Sequence, residues 1–212
     1  MHYKKIDFST WHRQEHFCIY RKIDCQFSLT IELDVSNVVA FYKAKNYKFY
    51  PVMIHLISQA VNELSAFKMS WKDDALIEWD QVHPAYTVFH PETETFSSLW
   101  TEYHASLSNF MEAFTDDALQ YQKNTTLSAK PNLPDNHFNI SSLPWISFKG
   151  FNLKFSEVKD YFAPIFTIGK FYEKDGKVLL PIAVQVHHAV CDGFHVAKLL
   201  KILQDKCDEL NL

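Results

Sequence analysis

The apolar positions change period several times along these 212 residues. After a polar N-terminal stretch, Val35, Val38, Val39 and Tyr42 recur every three to four residues behind Asp34 and Ser36. This predicts a helix capped by one of those two and running to about Lys45. Met53, Ile54, Ile57, Ala60, Val61 and Leu64 form one stripe behind Pro51, a first-turn residue, and predict a second helix to about Ala66. Period-two alternation then marks 67–72, 75–79 and 85–90 as antiparallel strands, with Lys72-Asp73-Asp74 turning between the first two. Leu107, Phe110, Met111, Phe114, Ala118 and Leu119 return to helical spacing and predict a helix over 100–121, followed by a polar, proline-bearing loop over 125–136. Segments 145–153, 163–172 and 177–187 read as strands, the last two joined by a hairpin at Asp175-Gly176. Asp192 or Gly193 opens a final helix ending near Leu210. Together these elements predict a mixed β-sheet with helices packed on it, an α/β two-layer sandwich, as one domain over 1–212.

Composition narrows the function. With 47% hydrophobic residues and 4 Gly the chain can bury a sizeable core, and a net charge of −4 argues against a binder of phosphate backbones, which needs clustered basic surface. An aromatic share of 16% exceeds what core filling requires and points to a ligand pocket or a subunit interface. Cys18, Cys25, Cys191 and Cys207 show no paired C-x-x-C spacing, and the start turns polar where a signal peptide would be apolar. Reduced thiols and a cytoplasmic location are therefore expected. No apolar run is long enough to span a bilayer.

The chemistry concentrates between residues 186 and 195, where His187, His188, Cys191, Asp192 and His195 fall between an apolar strand and a helix. Adjacent histidines on a strand point to opposite faces, so only one of His187 and His188 can look into a given site. Gly193 suggests tight backbone geometry where the helix begins. Three further readings compete with a histidine base. Both histidines could be core-edge groups satisfied by backbone. His187, His188, Cys191 and His195 could bind metal, although strand alternation separates the first two and the spacing fits neither H-E-x-x-H nor a cysteine knuckle. Cys191 could be a nucleophile, but a small thiol beside Val190 is more often packing.

His188-Ala189-Val190-Cys191-Asp192-Gly193 resembles the H-x-x-x-D-G motif of the trimeric chloramphenicol acetyltransferases. That motif alone is shared with the acyltransferase domains of 2-oxo acid dehydrogenase complexes and with peptide-synthetase condensation domains. Other stretches narrow the choice: 11–17 (WHRQEHF), 47–51 (YKFYP), 87–90 (TVFH), 93–97 (TETFS), 139–145 (NISSLPW) and 161–164 (YFAP) resemble that family's segments in its order, over nearly the full length.

The resemblance implies acetyl transfer from acetyl-CoA, as co-substrate and without a metal, to a hydroxyl of chloramphenicol, which inactivates the antibiotic. In this reading the ternary complex reacts directly, with no acyl-enzyme. His188 is the general base, Ser141 stabilises the oxyanion and Thr167 holds a water near it. Asp192 pairs with Arg13 as a buried structural pair rather than as a relay to His188. Tyr20, Cys25, Phe96, Asn139 and Leu153 are implied to contact the acceptor, and Lys170 and Phe171 the nucleotide end of the coenzyme. The resemblance further implies a homotrimer with active sites at subunit interfaces. One departure is visible: relatives carry L-F-P where this chain reads Leu127-Ser128-Ala129-Lys130-Pro131, so an aromatic wall against the acceptor is expected to be missing. Two alternatives stay open, a CoA-dependent acyltransferase for another hydroxylated substrate and a non-catalytic relative that only binds the drug. The lipoyl and peripheral-binding modules that accompany dehydrogenase-complex acyltransferases are absent from this sequence.

Overall fold

A computed structural model describes residues 2–153 and 160–210. Five helices, α1 (Gln14–Lys22), α2 (Ser36–Ala44), α3 (Phe49–Glu63), α4 (Leu107–Tyr121) and α5 (Gly193–Glu209), accompany ten strands in two sheets. A small three-stranded sheet orders β1 (Tyr3–Lys5), β4 (Ala75–Trp79) and β3 (Met69–Lys72). The larger sheet runs β2 (Gln26–Asp34), β10 (Lys177–His187), β8 (Ile165–Ile168), β7 (His137–Ser142), β5 (His83–His90), β6 (Thr95–Trp100), with β9 (Tyr172–Lys174) paired to β10. It is mixed: β7 pairs in parallel with both β5 and β8, and the other pairs are antiparallel.

One face of that sheet carries the core. Leu180, Ile182, Val184 and Val186 of β10 cluster with Val38, Ile54, Ile57, Val61, Leu199 and Leu203 from α2, α3 and α5. Helix α3 is buried continuously from Pro51 to Ser58, and each large side chain there contributes roughly 1.5–3 kcal/mol by leaving water. Alternation sends Pro181, Ala183, Gln185 and His187 to the opposite face, where they oppose Glu32, Thr30, Ser28 and Gln26 of β2. This second face is polar, and among the described residues no helix of the main layer packs on it. Segment 143–153 lies across part of it: the Phe151 amide donates to Thr30 Oγ1 at 3.3 Å and the Leu153 amide to Gln185 Oε1 at 2.8 Å.

Several expected elements differ. Segment 145–153 is not a strand: it crosses the sheet, and Phe148 packs down so closely that a side chain on Gly169 would clash with it at 2.9 Å. The helix expected over 100–121 begins only at Leu107: Trp100 closes β6, and 101–106 connect the two. The strand at 85–90 belongs to the large sheet and does not pair with 75–79. Helix α1 and strands β2 and β7 arise where no element was expected. The hairpin at Asp175-Gly176 forms with φ of 51° and 77°, the left-handed pair that a two-residue turn requires.

Candidate active site

Strand β10 stops at His187, and the chain turns through 188–191 into α5, so both histidines sit at a strand-to-helix corner. Their environments differ. His187 is buried; its Nδ1 accepts from the Ala189 amide at 3.1 Å, which leaves Nε2–H to donate to Asp24 at 3.2 Å. Burial lowers its pKa, so this ring is a neutral structural group with both nitrogens engaged. His188 is half-exposed, and its Nδ1 lies 3.0 Å from the Cys191 carbonyl. A carbonyl only accepts, so Nδ1 carries the proton and Nε2 keeps its lone pair. The imidazole stacks on Tyr20 at 3.9 Å and 9°, and meets Phe27 edge-on at 5.1 Å.

The corner is tied down from α1. Arg13 donates to the Asp192 carboxylate at 2.7 Å and to the His188 carbonyl at 3.2 Å, while the Cys25 carbonyl accepts from the His188 amide at 2.8 Å. Asp192 caps α5, accepting from the Phe194 amide at 3.1 Å, with His195 Nδ1 2.9 Å from the same oxygen. Burial pushes the Asp192 carboxyl up, but the hydrogen bonds from His195 and Arg13 prevail and bring it down to about 2. The pair is less sealed than expected: the Asp192 side chain is 36% exposed and Arg13 16%. Gly193 has an ordinary backbone and a side chain there would meet nothing within 4 Å, so tight geometry is not its role within the described chain. Cys191 is fully buried and its thiol is pushed up to about 12 by burial, which removes it as a nucleophile at neutral pH. Among the described residues, no three His, Cys, Asp or Glu side chains converge as a metal site would require.

Ser141 and Thr167 are direct neighbours across β7 and β8, and the same row continues to Ala183 and Thr30. None of the described residues hydrogen-bonds the Ser141 hydroxyl, so it is not a serine satisfied by its own backbone. It lines an apolar cleft of about 510 Å³ with Tyr50, Tyr86, Phe96, Phe114 and Trp145, and Lys48 also borders the cleft. Asn139 donates to the Tyr161 hydroxyl at 2.5 Å, and burial raises the Tyr161 pKa to about 12, so its phenol stays neutral. Leu153 is exposed over the polar face. The Lys170 amide donates to the Ile146 carbonyl at 2.9 Å, next to the Trp145 rim of the cleft, while Phe171 packs edge-on against Phe49 at 5.0 Å. Ser128 does not line the cleft; it is exposed and bridges Ser98 at the sheet edge.

The site residues thus fall into two groups. Arg13, Tyr20, Cys25, His188 and Asp192 gather at the corner, whereas Ser141, Thr167, Asn139 and Phe96 gather near the cleft. His187 lies four residues beyond Ala183, about 13 Å along β10, and β7 is two strands away, about 10 Å, which puts His188 and Ser141 on the order of 16 Å apart in one chain. Gln185, Tyr50 and Tyr161 were not singled out by sequence. Gln185 had a signal, a lone amide between Val184 and Val186 in an apolar strand.

Residues 1–204 match the family model described as chloramphenicol acetyltransferase. The chain is 53% identical over 211 residues to chloramphenicol acetyltransferase 2 of Haemophilus influenzae, covering 99% of each. It is 47% identical over 209 residues to chloramphenicol acetyltransferase 3 of Escherichia coli, covering 98% of each. A solved chloramphenicol acetyltransferase superposes with a TM-score of 0.85 at 20% identity, over 96% of this chain and 99% of that one. An Azotobacter vinelandii dihydrolipoamide acetyltransferase gives 0.70 at 19% identity, over 92% of this chain and 86% of that one, which extends the shared fold. With the family model spanning nearly the whole chain and relatives near half-identical end to end, this chain belongs to the chloramphenicol acetyltransferase family.

Proposed function

We propose that the protein transfers the acetyl group of acetyl-CoA to a hydroxyl of chloramphenicol, in an active site assembled between subunits of a cytoplasmic homotrimer. One observation carries the mechanism: the Nδ1 proton of His188 is committed to the Cys191 carbonyl, so Nε2 is a free base. Nε2 takes the acceptor's hydroxyl proton as that oxygen attacks the thioester carbonyl carbon. The resulting oxyanion accepts a hydrogen bond from Ser141, a donor worth roughly 2.7–4 kcal/mol when well placed, and Thr167 beside it holds a water. Collapse breaks the carbon–sulfur bond, and the departing thiolate recovers the proton from the imidazolium, giving acetyl ester and free coenzyme A. No acyl-enzyme and no metal take part.

The separation of His188 and Ser141 within one chain supports the subunit arrangement, since both must reach the same intermediate; the number three comes from the family resemblance. The polar face of β2 and β10 suits contact with a second copy, and a C-terminal corner at its edge would carry His188 to a neighbour's Ser141. Tyr20, Cys25, Phe96, Asn139 and Leu153 surround the acceptor in this reading. The apolar cleft, with Lys48 at its border and Lys170 and Phe171 beyond Trp145, suits the arm and nucleotide end of the coenzyme. Ser128 stands outside this coenzyme cleft, and where the resemblance implies an aromatic wall against the acceptor its small side chain weakens acceptor binding without changing the chemistry.

Titration of free thiol from acetyl-CoA, with and without chloramphenicol, tests the reading. Chloramphenicol-dependent thiol release that His188→Ala abolishes is the expected result. Release independent of chloramphenicol, or unchanged by His188→Ala, contradicts it.

A further inference from the structure

Helix α1 carries Tyr20, whose ring covers one face of the His188 imidazole, yet α1 buries only Phe17. A nine-residue helix with one buried side chain is too short to stay in place by its own propensity. Its two ends are held by arginines instead. At the N-terminus Arg13 grips Asp192 and the His188 carbonyl. At the C-terminus Arg21 forms a two-pronged bond to Asp160, Nε to Oδ1 at 2.7 Å and a terminal nitrogen to Oδ2 at 2.8 Å. The same guanidinium lies 3.5 Å over the Trp71 ring of the small sheet. Trp71 in turn stacks at 5.9 Å on Phe17. The fork and the stack fix the plane of the guanidinium from two directions, and Arg21 directly follows Tyr20 in the helix.

The geometry points to Arg21 as a positioning residue for the catalytic base, acting through α1: its clamp on Asp160 and Trp71 sets where Tyr20 presses on His188. This inference rests on the proposed role of His188. Arg21 touches neither ring of the stack, so its effect passes entirely through the helix. Without the clamp the last turn of α1 loosens, Tyr20 leaves its parallel stack, and the imidazole samples orientations in which Nε2 misses the hydroxyl. Misplacement on that scale slows the chemical step while leaving substrate contacts elsewhere intact.

The test compares kcat and both KM values for Arg21→Met, Arg21→Lys and the pair Arg21→Met with Asp160→Asn, which removes both charges of the clamp together. Lys206→Met serves as control, since it removes the Glu63–Lys206 ion pair far from the site. Arg21→Met is expected to lower kcat about tenfold with both KM values within about twofold, and Arg21→Lys to recover part of the loss, because it keeps the charge without the fork. The double variant should match Arg21→Met, and Lys206→Met should keep wild-type kcat. An unchanged kcat in the folded double variant, a rise in KM without loss of kcat, or an equal kcat loss in Lys206→Met overturns the inference. His188→Ala, measured alongside, separates the two claims: if it retains turnover the proposed base is wrong, whereas if it is inactive and the Arg21 variants are not impaired, only the clamp is wrong.

Discussion

Replacing Asp192 by Asn separates two roles for one carboxylate, relay and brace. The wild-type group accepts from Arg13 at 2.7 Å, His195 at 2.9 Å and the Phe194 amide at 3.1 Å, and its pKa falls from the ordinary 3.8 to about 2. At about 1.4 kcal/mol per unit that drop corresponds to about 2–3 kcal/mol. With the side chain 36% exposed, solvent screening reduces it to about 1 kcal/mol. Because the folded-state pKa lies below the unfolded one, this stabilisation is complete above the unfolded pKa and disappears as pH falls toward about 2. Asparagine keeps an N-cap acceptor for α5, so only the ionic part is lost. Urea unfolding followed by tryptophan fluorescence, at one protomer concentration, should show Asp192→Asn less stable by about 1 kcal/mol at pH 7, with the gap closing in acid. His188 hydrogen-bonds Cys191 and not Asp192, so kcat should fall by no more than about tenfold, the loss expected from a loosened clamp on α1 and not from a lost relay. A collapse of kcat by about 10⁴ at unchanged stability would mean that Asp192 orients the base, and equal stability at pH 7 would refute the brace.

Other perturbations follow from the same geometry. Ser141→Ala should lower kcat about 10²–10³-fold with KM little changed, and steady-state kinetics giving a loss under about threefold would remove it as the oxyanion donor. Cys191→Ala should keep most activity, since the thiol is buried and held up to about 12; loss of turnover in a folded variant would restore the thiol mechanism. Gly169→Ala forces a side chain to within 2.9 Å of the Phe148 ring and should destabilise the fold by about 1–3 kcal/mol in denaturant unfolding, and a neutral result would mean that 143–153 yields freely.

What could be read in the sequence follows from how each segment is buried. Helix α3 and strand β10 announce themselves because their apolar residues meet one continuous core, and the end of β10 carries the motif on which the proposal of His188 as base rests. Helix α1 gives no periodic signal because it buries Phe17 alone and is held by Arg13 and Arg21 instead. Strand β2 reads weakly because one of its faces, Gln26, Ser28, Thr30 and Glu32, is polar. The apolar and aromatic residues of 145–153 imitate a strand, yet Phe148 and Phe151 pack on each other over the sheet. That His188 and Ser141 lie on different parts of the chain was not visible in the motif, because only strand register converts their positions into a separation.

Complementation between two defective variants reads directly whether one site draws on two chains. Co-expressed His188→Ala and Ser141→Ala chains, assembled at random into the proposed trimers, should regain about a quarter of wild-type turnover, because about three-quarters of the trimers are then mixed and each mixed trimer has one of its three interfaces with both groups intact. Activity no greater than that of the two variants measured separately would contradict a site shared between subunits.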